Sequence, residues 1–222
     1  MNKIFNSSSN SNFFILLISY LVYPLSLLFA KFRIRPNLIT SFSFIFSILA
    51  AFFLIKGQNN YFIFFWLFSS LLDFCDGQVA RMTNNVNKTG FRYDSFGDLI
   101  KIKIIIISSA IVYNDFNYWI LSSIIVFLFP YSFILQSTLS LYIKKKKNIG
   151  QNISNDFFFQ KIINNLIGIF FKINGHTLFL FLLLIAGSKV AFSILLYLTI
   201  VLILNILRYI YLLNFVTKIN NK

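Results

Sequence analysis

Glutamate is absent from this chain of 222 residues; its six acidic residues are all aspartates, set against 20 Lys and Arg for a formal charge of +14. Cys75 is the sole cysteine, so no intramolecular disulfide can form, and between Asp73 and Asp76 it reads as a small packing residue. One histidine, His176, is too few for an imidazole-built metal centre and reads as a cap or interface residue. The eight glycines are scattered and form no phosphate-binding loop. Charged residues are only 12% of the chain, while 58% are hydrophobic and 19% aromatic, with a mean hydropathy of +0.76. Soluble domains have an apolar share nearer ~45–50%, so a water-soluble globule is excluded and the chain belongs in a membrane. The basic residues sit between apolar runs, which argues against nucleic acid and for anionic lipid headgroups as their partner.

Residues 1–12 are polar and rich in Ser and Asn, a loose tail without the features of a cleavable signal peptide. Residues 13–35 are apolar, contain Pro24 and end in Lys31, Arg33 and Arg35, which predicts a helix lying in the membrane interface. Residues 37–216 are predicted to form a bundle of six spans. The first three are Leu38 to Ile55, Tyr61 to Met82 and Phe91 to Tyr113. The fourth, Tyr118 to Ile143, is expected to kink or break locally at Pro130. The fifth apolar run, Thr177 to Ala186, is short and follows an interfacial or extended helix over 157–172; the sixth is Val190 to Val216. The fold class is thus all-α, a single-domain polytopic membrane bundle. Placing both termini in the cytoplasm puts Lys31, Arg33, Arg35, Arg81, Lys88, Arg92, Lys144 to Lys147, Lys161, Lys172, Arg208, Lys218 and Lys222 inside and leaves Lys56 and Lys189 outside. This orientation predicts a multi-pass protein of the inner or cell membrane.

Four of the six aspartates lie between Asp73 and Asp98; Asp115 and Asp156 stand alone. At ~100° per residue, Asp73, Asp76, Gly77 and Ala80 share one face of a helix, and Gly90, Asp94 and Asp98 share a face of the next. Carboxylates inside membrane helices are rare and mark function by default. A cluster of hard oxygen donors without Cys or His favours Mg²⁺ or Mn²⁺. Gly77 and Gly90 would let backbone approach a bulky ligand closely. Lys101 falls on the face of Asp94 and Asp98, as a cation near a substrate phosphate or as a structural partner of Asp98. Arg92 and Arg208, at helix ends, are candidate contacts for a phosphate on an acceptor, with lipid headgroups as the plainer alternative.

Written out, the stretch is Asp73-x2-Asp76-Gly77-x2-Ala80-Arg81-x8-Gly90-x3-Asp94-x3-Asp98. It resembles the signature of the CDP-alcohol phosphatidyltransferase family at every defined position. The resemblance implies transfer of a phosphatidyl group from a CDP-linked lipid to the hydroxyl of a polar alcohol, with release of CMP. CDP-diacylglycerol ranks first as donor, because a small single-domain chain is similar to the prokaryotic members that use it. By the same resemblance Asp73, Asp76 and Asp94 hold the divalent ions, Asp98 joins them and serves as general base, and Gly77, Ala80, Arg81 and Gly90 border the nucleotide. Members are commonly homodimers, so a homodimer is a candidate assembly. Ser95 and Leu99 stand where the family's phosphatidylglycerophosphate synthases tend to have Pro and Lys, which counts against that acceptor. The Asp94-Ser95 pair is more like members acting on inositol phosphate, serine or other polar alcohols. A CDP-choline-like donor with a lipid alcohol as acceptor shares the same motif. A cation transporter, from another class, would carry acidic residues through the membrane depth, whereas these gather at one side.

Overall fold

A computed structural model describes residues 13–86, 88–148 and 185–220. Every long element among them is helical: α1 (Phe13–Lys31), α2 (Pro36–Ile55), α3 (Asn59–Met82), α4 (Lys88–Tyr113), α5 (Phe116–Asn148) and α6 (Ser188–Asn220). The predicted tail over 1–12, the helix over 157–172, His176, Asp156 and most of the fifth span lie outside the described residues. Four helices, α2, α3, α5 and α6, are long and apolar enough to cross a membrane, and their bounds fall close to the predicted first, second, fourth and sixth spans. α4 is not among them, because even its last eighteen residues, 96–113, retain Asp98, Lys101 and Lys103. α5 runs unbroken through Pro130 and continues past the predicted end at Ile143 to Asn148.

The helix ends are set by local chemistry. Pro36 opens α2 at its first turn, where a missing N–H is harmless and the fixed φ suits a helix. α2 closes at Gly57, whose φ of +70° lets the Gln58 N–H turn back to the Phe53 carbonyl at 2.9 Å. The same closure ends α1 at Arg33 and α3 at Asn84, both with φ 54°, through Ile34 N–H to Phe29 O at 3.0 Å and Asn85 N–H to Ala80 O at 2.9 Å. Asp115 starts α5: its Oδ1 accepts the Asn117 N–H at 2.9 Å, the bond of an N-cap.

The described helices fall into two compact units, α1 to α4 and α5 with α6. In the first, α2 packs on both α3 and α4, and α1 packs on α3. The buried face of α2 is small and polar, with Thr40, Ser43, Ser47, Ala50 and Ala51 among its residues, while Phe42, Ile45, Ile48 and Phe52 are exposed. Small residues inward and bulky apolar ones outward are what a helix surrounded by lipid requires. α2 and α3 run antiparallel in a legible register. Phe53 stacks on Tyr61 and Phe65 at centroid distances of 5.1 Å each, and Phe46 meets Phe65 and Phe68 at 5.8 and 4.9 Å. Further along, Ser69 Oγ donates to the Ser43 carbonyl at 2.7 Å, and Thr40 meets Asp76. α1 is fixed by Ile18 and Val22, which pack with Ile39, Leu72, Cys75 and Val79, and by Gln78 Nε2, which donates to the Ser19 carbonyl at 2.8 Å. Cys75 is fully buried in that cluster, a packing residue as expected. In the second unit, Tyr118 of α5 meets Phe192 of α6 edge-on at 5.5 Å.

Candidate functional site

The register that the stacked rings set between α2 and α3 carries the polar half of both helices into contact. Asp73 and Asp76 on α3 face Ser43 and Thr40 on α2, and α4 brings Asp94, Asp98 and Lys101 to the same side of α2. Close approach is easy there: a side chain carbon placed at Gly97 of α4 would stand 3.8 Å from the Thr40 methyl group. Ser41 Oγ and the Tyr93 hydroxyl, 2.9 Å apart, pin the start of α4 to α2.

Asp73, Asp76 and Asp94 each present an oxygen, and these oxygens all lie within 4.8 Å of one another. Three ionised carboxylates so close repel by roughly 3 kcal/mol per pair at an effective dielectric of ~20. A cation among them relieves that repulsion, and an all-carboxylate donor set suits Mg²⁺ or Mn²⁺. Asp94 Oδ1 is buried and has no hydrogen-bond partner among the described residues, which is the state of an atom reserved for a ligand. Asp76 is 4% exposed and its Oδ2 accepts from Thr40 Oγ1 at 2.5 Å. The fourth aspartate is differently engaged. Asp98 Oδ1 lies 2.7 Å from Lys101 Nζ, and its side chain is 42% exposed. Lys101 also pairs with Asp73 Oδ1 and donates to Ser43 Oγ at 3.2 Å. Lys101 thus pairs with Asp98, the structural partnership that is one of the two readings its position allows in the sequence.

The remaining predicted residues are placed as follows. A methyl group added at Gly77 would meet only the Arg81 guanidinium, at 3.6 and 3.9 Å, so Arg81 lies back over the bare backbone of its own helix. Ala80 is half-buried one turn on, Gly90 lies in the first turn of α4, and Arg92 is exposed on that helix. Arg208 belongs to the second unit, with its guanidinium 5.8 Å from the ring centroid of Tyr209. Sequence reasoning did not find Thr40 and Ser43; the signal available was a stripe of hydroxyls at Thr40, Ser43 and Ser47, spaced for one helix face in an apolar run.

No curated protein sequence matches the chain. The family model for CDP-alcohol phosphatidyltransferase matches residues 33–216, which include α2, α3, α4 and every residue of the carboxylate cluster. With the match covering most of its length, the chain belongs to the CDP-alcohol phosphatidyltransferase family, transferases that pass a phosphatidyl group from a CDP-alcohol to an alcohol acceptor.

Proposed function

We propose that this protein transfers the phosphatidyl group of a CDP-linked lipid, CDP-diacylglycerol before others, to the hydroxyl of a polar alcohol and releases CMP at the cytoplasmic face of the cell membrane. The observation that carries this reading is the meeting of oxygens from Asp73 and Asp76 on α3 with one from Asp94 on α4, all within 4.8 Å of one another. These three would hold Mg²⁺ or Mn²⁺. When bound, the ion supplies charge neutralisation to the diphosphate and polarises the phosphorus under attack. Thr40 holds Asp76, and Lys101 with Ser43 holds Asp73, so two of the three carboxylates are oriented in advance. Asp98, open to the surroundings on one side, would accept the proton of the acceptor hydroxyl. The acceptor oxygen then bonds to the β-phosphorus, the bond from that phosphorus to the bridging oxygen breaks, and CMP departs with the electron pair. Arg81 over Gly77 supplies positive charge where the nucleotide phosphates would approach α3.

The same reading retains six spans, with α4 crossing because its charged face is spent on the cluster, and α1 in the interface. Both termini would be cytoplasmic, and a second copy of the chain the partner. A cation path is disfavoured by carboxylates gathered at one depth.

The test is CMP release by purified protein in detergent, with labelled CDP-diacylglycerol or CDP-choline and a panel of acceptors including serine, inositol phosphate and glycerol phosphate. Release is expected from the diacylglycerol donor, only with Mg²⁺ or Mn²⁺ and one of the polar alcohols present. Asp98→Asn is expected to lower it by at least ~10²-fold, the scale of a lost general base. Release that survives a chelator, or is undiminished in Asp98→Asn, would overturn the mechanism.

A further inference from the structure

We infer that the hydroxyl pair of Ser41 and Tyr93 is a clamp that places Asp94, which makes Tyr93 a positioning residue of the carboxylate site. The inference rests on the proposed role of Asp73, Asp76 and Asp94 in holding metal, and deepens it. Two of these three have a hydroxyl of α2 beside them, Ser43 Oγ at 3.5 Å from Asp73 and Thr40 Oγ1 on Asp76. Asp94 differs. Its Oδ1 is buried without a hydrogen-bond partner among the described residues, so that oxygen goes where the backbone of α4 puts it. What fixes α4 therefore fixes the third ligand.

Tyr93 and Gly97, one turn apart on α4, both meet α2. The Tyr93 hydroxyl lies 2.9 Å from Ser41 Oγ, and a carbon added at Gly97 would stand 3.8 Å from the Thr40 methyl group. Each immediately precedes a carboxylate, Asp94 and Asp98. Any rotation of α4 about its axis therefore swings both acids together, and these two contacts resist it. Gly97 supplies closeness without direction; the hydroxyl pair supplies the direction. Ser41 Oγ donates its one hydrogen to the Asn37 carbonyl at 2.9 Å, so toward Tyr93 it can only accept, and the phenol is the donor. The chain from Tyr93 through Ser41 thus ends on a main-chain atom in the first turn of α2, which has no rotamer to change. Tyr93 is 45% exposed and stands outside the three-carboxylate cluster, so removing its hydroxyl strands no buried polar group and touches no ligand directly.

The test is a Mn²⁺ titration of the purified full-length protein in detergent, followed by electron paramagnetic resonance. Tyr93→Phe and Ser41→Ala are each expected to raise the apparent Mn²⁺ dissociation constant ~3–10-fold, the range open to the net worth of one hydrogen bond. The double variant is expected to lose no more than either alone, because the same bond is missing in all three. Ser41→Thr keeps the acceptor oxygen and is expected to bind as wild type does. In an Asp94→Asn background Tyr93→Phe is expected to cost nothing further, whereas in Asp76→Asn it costs the same ~3–10-fold; a general loosening of the fold would weaken both backgrounds alike. Unchanged affinity in Tyr93→Phe, single effects that multiply in the double variant, Ser41→Thr as weak as Ser41→Ala, or equal losses in the two backgrounds would overturn the inference and leave the metal reading standing. No bound Mn²⁺ in wild type would remove the metal reading and the inference with it.

Discussion

Asp76 takes its orientation from a hydroxyl on another helix, and a carboxylate held in this way reaches a metal without first losing rotamer freedom. Thr40→Val keeps the shape and removes the donor to Asp76 Oδ2. Mn²⁺ affinity is expected to fall ~10-fold, the lower range for loss of an outer hydrogen bond to a ligand; unchanged affinity in a Mn²⁺ titration would free Asp76 of any dependence on Thr40. The four aspartates were legible because acidic residues are scarce in this chain and two spacings, three and four, place them on helix faces. Thr40 and Ser43 were not, for a physical reason. Hydroxyls in apolar helices commonly bond a carbonyl of their own helix, as Ser70 does to Trp66 at 2.9 Å and Ser108 to Ile104 at 2.8 Å, so a hydroxyl in a span announces nothing until its neighbour across the interface is known. Lys101 was legible as a member of the face but not in its role, since which of several anions it meets depends on how α4 lies against α2 and α3.

On the proposed reading, helix α3 would do two jobs that make opposite demands on Gly77. Within a helix, Gly is about 1 kcal/mol less favourable than Ala, and the neighbouring Arg81 atoms leave room for a methyl group at ordinary contact distance. Gly77→Ala is therefore expected to keep or raise the thermal midpoint in detergent. If the nucleotide lies against this face, the same change raises KM for the CDP-linked lipid ~10-fold or more, the scale of one misplaced methylene in a fitted pocket. A raised midpoint with unchanged KM would mean that the nucleotide does not approach Gly77. The extents of α2 and α3 follow from their apolar runs and the punctuation by Pro36 and Gly57, which is why both were readable. The closures at Arg33 and Asn84 were harder to read, because the positive φ there is imposed by the returning backbone bond and is not signalled by a glycine. α5 outran its prediction because a basic run ends a span without having to end a helix.

At the scale of the whole molecule, the outward surfaces of the apolar helices carry large side chains such as Phe64 at 58%, Phe127 at 77% and Leu207 at 58% exposure. Such surfaces are stable only in lipid. The distribution of basic residues places the site on the cytoplasmic side as an expectation, and labelling tests it. Cys75 is fully buried and gives a quiet background, so a new cysteine at either end of α3 reports its own side. Gln58→Cys is expected to react with a membrane-impermeant maleimide on intact cells, and Asn85→Cys only after permeabilisation; the reverse pattern would put the site outside. The most direct measurement of the central claim is anomalous scattering from crystals grown with Mn²⁺ and CDP-diacylglycerol. The expected result is a Mn²⁺ peak at about 2.0–2.3 Å from oxygens of Asp73, Asp76 and Asp94 together. A peak bounded by other residues, or none at saturating Mn²⁺, would contradict it.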